Sequence, residues 1–171
     1  MKTFEELKEE LLQRAKEKDA CQDGYEMGLN AQGKQDLLKA ITENWFWVLR
    51  TAKIIDAKYL EENFTEEELV EAGIYTRKYH EVRTVSFACG SATVKAYDSA
   101  TVEACGNATV EAYGNATVKA YGSAMVEAYD NSYVEDFIGN IRPQSDFAIV
   151  KDYCNHKIYI KKGKFEIIEV D

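Results

Sequence analysis

The chain has 171 residues, of which 46% are hydrophobic and 30% charged, with a net charge of −9. That length allows one or two compact units, and the acidity disfavours a nucleic acid or an anionic membrane surface as a direct partner. The chain starts with a charged, helix-patterned segment rather than an apolar leader, so the expectation is a soluble, cytoplasmic protein that neither crosses nor binds a membrane.

Residues 1–81 read as a helical head. Thr3-Phe4-Glu5-Glu6 is a capping box, and Phe4, Leu7, Leu11, Leu12 and Ala15 form an apolar stripe at helical spacing. Gly24 and Gly28 punctuate a second segment, and Gln35 to Thr42 begins a third. Asn44 to Leu49, with Trp45, Phe46 and Trp47, is dense enough in apolar groups to be the helical core. Asp56 to Asn63 and Thr65 to Ala72 predict two more short helices, the last stopped by Gly73. The head holds 18 of the 30 acidic residues against 12 of the 21 basic ones. This surplus permits basic partners, although ordinary solubility is the plainer reading.

From about Val82 to Tyr153 the chain repeats every eight residues. Gly90 to Tyr97, Asp98 to Cys105, Gly106 to Tyr113, Gly114 to Tyr121, Gly122 to Tyr129 and Asp130 to Phe137 are successive units. Within a unit, Ala, Val and Ala at the third, fifth and seventh places alternate with polar residues and an aromatic. This is the period of a strand with small apolar residues inward. Gly, Asp, Asn and Ser occupy the first two places, where a tight turn needs positive φ or a side chain that bonds nearby backbone. Stacked units of this kind make a solenoid.

The charges choose the winding. With two octads per turn, residue i lies beside residue i+16, and Glu103, Lys119, Glu135 and Lys151 form one column of alternating sign. The opposite face then reads Lys95, Glu111, Glu127. Three octads per turn would instead oppose Lys95 to Lys119, Glu103 to Glu127 and Glu111 to Glu135. Unlike charges directly across a ladder stabilise by roughly 0.2–1 kcal/mol and like charges cost a similar amount. The expected fold is therefore α+β: the helical head, then a flattened two-sided β-solenoid over residues 82–171, with sixteen residues per rung and about five rungs. Gly90, Gly106 and Gly122 should share one corner, and Asp98, Gly114, Asp130 and Asp146 the other. Cys89, Cys105, Tyr121, Phe137 and Tyr153 should stack, with the two cysteines as neighbouring thiols or a disulfide.

Pro143 lies in the irregular octad Ile138 to Ser145, where a strand is expected to be interrupted. Lys157 to Ile160 and Lys164 to Val170, flanking Lys161-Lys162-Gly163, read as a hairpin over the last rung. The head is expected to cover the first, since an exposed end rung would be a sticky edge.

Chemistry-bearing residues are sparse. His80 is placed before the first rung, as a packing or capping residue. Cys154-Asn155-His156 offers two ligands where a zinc site wants four. No phosphate loop, nucleophile elbow or metalloprotease motif occurs. An enzyme would need a pocket in the head lined by Cys21, His80 or carboxylates. The expectation is no catalytic residue, no cofactor and no metal. Thr93 with Thr109, and Thr101 with Thr117, resemble the rows of ice-binding β-rolls, but a charged column runs beside each. Tyr97, Tyr113 and Tyr129 either fill a corner or present an aromatic stripe, a composition favoured at interfaces.

The repeats Gly106 to Tyr113 and Gly114 to Tyr121 resemble those of a loose group of uncharacterised proteins from phages and mobile elements of gut and related bacteria. Lys16 to Cys21 followed by Gly24, Trp45 to Trp47, and Glu61 to Gly73 are similar landmarks in the head. The resemblance implies a short helical head joined to an octad solenoid, within a host-cell cytoplasm, and carries no activity. The functional expectation is a non-enzymatic interaction or scaffold protein with an unidentified protein partner. Self-association through the head, a solenoid edge or the tyrosine stripe would give a homodimer. The rival expectation is an inhibitor of a host defence complex of the CRISPR or restriction type, acting through the acidic surface. An ice-binding-like roll is a lower alternative.

Overall fold

A computed structural model describes residues 1–168, which divide into two compact units, Met1–Ile74 and the remainder from Tyr75. The boundary falls before residue 82 because the segment Tyr79–Val82 is already a solenoid strand, paired with the first octad.

The first unit holds helices α1 (Phe4–Glu17), α2 (Gln22–Asn30), α3 (Lys34–Glu43), α4 (Ala57–Asn63) and α5 (Glu66–Glu71), with a π-helical stretch at Trp47–Thr51. Capping boxes start α1 and α5: Thr3 and Thr65 accept from the Glu6 and Glu68 amides, and those glutamates reach back to the cap amides. Asp56 caps α4 by accepting from the Tyr59 amide. Leu7, Leu37, Leu38, Ile41, Trp45, Leu60 and Leu69 are buried. Phe46 is not: it is 47% exposed, so the aromatic run Trp45 to Trp47 only partly faces the core. Helical spacing cannot bury three consecutive side chains on one face.

The second unit is the solenoid. Strands β1 (Ile74–Tyr75), β3 (Val85–Ala88), β5 (Thr101–Ala104), β7 (Thr117–Ala120), β9 (Tyr133–Asp136), β10 (Ile149–Asp152) and β11 (Lys157–Tyr159) form one sheet in that order. Strands β2 (Tyr79–Val82), β4 (Thr93–Ala96), β6 (Thr109–Ala112) and β8 (Met125–Ala128) form the other. These are called the odd and even sheets below. From β3 to β10 the pairing is parallel with a sixteen-residue register, such as Val102 with Val118 and Val110 with Val126. Consecutive octads therefore fall on opposite sheets, as two octads per turn require.

The core is thin and made of small residues. Val94, Val102, Val110, Val118, Val134 and Val150 are fully buried, flanked by columns of buried alanine. Burying a valine contributes about 1.5 kcal/mol or more, so the ladder stabilises by repetition rather than by large side chains. Corner residues Gly90, Gly106, Gly114, Gly122, Asp98 and Asp130 all have positive φ. At Gly114 the corner is also crowded: a Cβ there would lie 3.1 Å from the backbone nitrogen and oxygen of Asp98, one rung before.

Three departures from the sequence reading follow from local chemistry. His80 lies inside β2, opposite Val94, with its ring 4.4 Å from that of Tyr75 and its Nε2 2.9 Å from the Arg77 carbonyl oxygen. The register from β2 to β4 is fourteen residues, Tyr79 with Thr93, so the first turn is two residues short. The C-terminal hairpin joins β10 to β11, turning at His156 with φ 54°, rather than joining β11 to the Lys164–Val170 segment. Residues 164–168 form no strand, and Glu169 and Val170 lie outside the described residues.

Candidate interaction surface

The outer face of the even sheet carries the tyrosine column. Each tyrosine is the eighth residue of its octad, placed where strand gives way to corner. Tyr97 and Tyr113 stack at 5.3 Å between ring centroids and 15° between planes, and Tyr113 and Tyr129 at 5.0 Å and 6°. The column is half-buried. The Arg83 guanidinium lies 5.1 Å from the Tyr97 centroid and closes that end of the stack.

Two phenols of the column, and that of Tyr79, are steered by a strand carboxylate two residues away. Tyr113 donates to Glu111 at 2.6 Å and Tyr129 to Glu127 at 2.7 Å, and at the start of the sheet Tyr79 donates to Glu81 at 2.7 Å. The carboxylate acceptor holds the Tyr113 and Tyr129 phenols above their ordinary pKa, and Tyr79 is pushed up to about 12. Glu111 is held below the usual carboxylate range, by the Tyr113 hydroxyl first and then by Lys95, whose Nζ is 3.1 Å away. The charge column is Glu81, Lys95, Glu111, Glu127: two attractive neighbours and one repulsive pair.

The odd sheet carries the alternating column. Glu103 pairs with Lys119, Lys119 with Glu135, and Glu135 with Lys151. Lys119 Nζ is 3.9 Å from Glu103, and Lys151 Nζ is 4.6 Å from the Tyr153 ring centroid. Burial raises the Glu103 pKa, with Lys119 opposing the shift and Glu135 adding to it. The second aromatic stack places Tyr121 and Phe137 at 4.8 Å, and Phe137 and Tyr153 at 4.5 Å. Cys89 and Cys105, its earlier members, are buried thiols that no disulfide joins.

Two buried carboxylates were not foreseen. Asp136 and Asp152 stand at the inward place that alanine fills in earlier odd-sheet strands, and both are buried. Asp136 accepts from the amides of Ile138, Gly139 and Ile141 at 2.7–2.9 Å. Asp152 accepts from the Asn155 amide and side chain, bonds that hold its pKa low. Both carboxylates fold irregular backbone where the octads lapse. The signal was present as Asp in an alanine column.

The Thr rows hold two residues each: Thr93 and Thr109 are followed by Met125, and Thr101 and Thr117 by Tyr133. In the head, a cavity of about 70 Å³ is lined by Leu11, Leu37, Ile41 and Trp47 with Cys21 and Asn44, and by neither a carboxylate nor a histidine. A second groove of about 500 Å³ mixes Arg14, Lys53 and Lys58 with Asp56 and Glu62. Among the described residues no three His, Cys, Asp or Glu side chains are grouped to hold a metal ion, and no helix is long and apolar enough to cross a membrane.

Neither a family model, a curated protein nor a solved structure matches this chain.

Proposed function

We propose that this chain is a non-enzymatic interaction scaffold whose docking surface is the outer face of the even sheet, and that its first partner is a second copy of itself. The tyrosine ladder carries the reading. Three rings held in register by stacking, the second and third each tied to a carboxylate and the first covered by the Arg83 guanidinium, form a preordered surface that loses little side-chain freedom on binding. A twofold axis through Tyr113 would set Tyr97 against Tyr129 of the partner, and Lys95 against its Glu127. The central Glu111 already has Lys95 beside it. An origin in a phage or mobile element is part of the proposal and rests on the resemblance of the octads.

Light scattering on the wild type and on a Tyr97→Ser, Tyr113→Ser, Tyr129→Ser variant tests the surface. The expected result is a dimer that becomes a monomer, with far-ultraviolet circular dichroism showing that the variant keeps its strands. An equal mass for both proteins dismisses the tyrosine face.

A further inference from the structure

Two rows of outward side chains cross the odd sheet, and each is complementary to its own reversal. The charged row runs Glu103, Lys119, Glu135, Lys151 from β5 to β10. Phe87 on β3 precedes it and Ile158 on β11 follows it. Taken in the opposite order, this row sets an ammonium against every carboxylate. The neighbouring row runs Thr101, Thr117, Tyr133, Ile149, and its reversal sets a large side chain against every small one.

We infer that this face docks a second copy of the chain about a twofold axis parallel to the strands, between β7 and β9. That rotation turns the face over and reverses the order of the strands, while each row stays over itself. Glu103 then meets Lys151 of the partner, and Lys119 meets its Glu135. Thr101 packs against the partner's Ile149 and Thr117 against its Tyr133, the alternation of small and large that lets two layers interdigitate. Phe87 falls opposite the partner's Ile158, which is 64% exposed. The contact is isologous and closes on two copies. An axis along the solenoid would instead put Glu103 on Glu103 and Lys119 on Lys119, so the charges select one orientation.

The row has capacity left for this second role. Within one copy Lys119 Nζ is 3.9 Å from Glu103, Lys151 Nζ lies over the Tyr153 ring, and Glu135 accepts from the Tyr153 hydroxyl at 3.4 Å. These contacts are long, and a carboxylate accepts up to about four hydrogen bonds while an ammonium donates about three. The face is also neutral. Its outward residues from Val85 to Ile158 carry two negative and two positive charges, on a chain of net charge −9. Copies therefore approach through it without the repulsion that the net charge imposes elsewhere.

The six strands from β3 to β11 offer a contact of about 25 Å by about 13 Å. Counted on both copies this is below the roughly 1,200 Å² of a stable complex, so the pair forms at high concentration and dissociates on dilution. It uses the sheet opposite the tyrosine ladder and does not rest on that reading. Light scattering at micromolar concentration reads the tyrosine face alone.

The test is a nuclear magnetic resonance titration of the isotopically labelled full chain with unlabelled protein, up to about 1 mM, the range of weak binding. Adding wild type should shift the amides of Thr117–Ala120 and Tyr133–Asp136. A variant carrying Glu103→Lys, Lys119→Glu, Glu135→Lys and Lys151→Glu keeps unlike neighbours in its own ladder and should shift the same amides in labelled copies of itself. Mixed with labelled wild type it sets like charges together at all four places, and should bind at least about tenfold more weakly than wild type does. No shift at those amides in the wild type overturns the inference, as does an equal response to both partners. A wild-type titration at about 0.5 M salt, where charges are screened beyond about 4 Å, needs no substitution and should lose most of the shift. Undiminished shifts there would overturn the charge pairing. Shifts confined to Thr109–Ala112 and Met125–Ala128 would report the tyrosine face and reject this one.

Discussion

Lys119 stands on β7 between two carboxylates of its own column, Glu103 on β5 and Glu135 on β9, with its Nζ 3.9 Å from the former. Lys119→Glu makes three adjacent carboxylates and converts two attractive pairs into repulsive ones. The expected loss is about 1–2 kcal/mol, read as a lower urea midpoint with an unchanged slope. Adding Glu103→Lys should recover part of it, because one attractive pair returns. An unchanged midpoint in the single variant would mean that the column contributes nothing to stability.

Glu103 also sets a pH dependence. Its pKa is raised in the folded protein, chiefly by burial, so the folded state binds the proton more tightly than the unfolded state does. Its favourable contribution is therefore present below the ordinary glutamate range and is lost as pH rises through the elevated folded pKa. Glu103→Gln removes that loss. The variant should gain stability relative to the wild type between pH 3.5 and pH 7, in urea titrations run at both ends. A difference independent of pH would show that Glu103 ionises alike in both states.

Asp136→Ala restores the alanine of the repeat and should nevertheless destabilise the protein. Three backbone amides lose a buried carboxylate acceptor, and hydrogen bonds to charged groups contribute about 1.5–3 kcal/mol each. A loss of at least about 3 kcal/mol is expected, with hydrogen exchange accelerated first at Ile138, Gly139 and Ile141. Wild-type stability in this variant would show that the loop holds itself.

The regular part of the solenoid was legible because every octad repeats the same chemistry at the same place. Sixteen-residue pairing, positive φ at Gly106 and Asp98, and the stacking of Tyr97, Tyr113 and Tyr129 all follow from columns that only one winding makes consistent. Legibility failed where the pattern lapses. The short first turn depends on a corner at Arg83 and Thr84 that no later octad shares, so no column could reveal the pairing of Glu81 with Lys95. Pro143 signalled an interrupted strand, but not that the segment around it would still meet the neighbouring strand at the Ala128–Pro143 bridge. Asp136 and Asp152 looked like further acidic residues because patterning scores side chains by face. What they do is set by backbone amides two to five residues on, a local geometry invisible to periodicity.

Parity governs any change in the length of this protein. Because neighbouring octads lie on opposite sheets, deleting a single one would send every later residue to the other side. The tyrosine of one corner would then land among the cysteines and phenylalanine of the other, and Lys119 would leave its flanking glutamates for a different row. Removing or duplicating two together shifts the chain by a whole circuit and keeps each column intact. Growth and shortening of this scaffold therefore proceed in even numbers of octads.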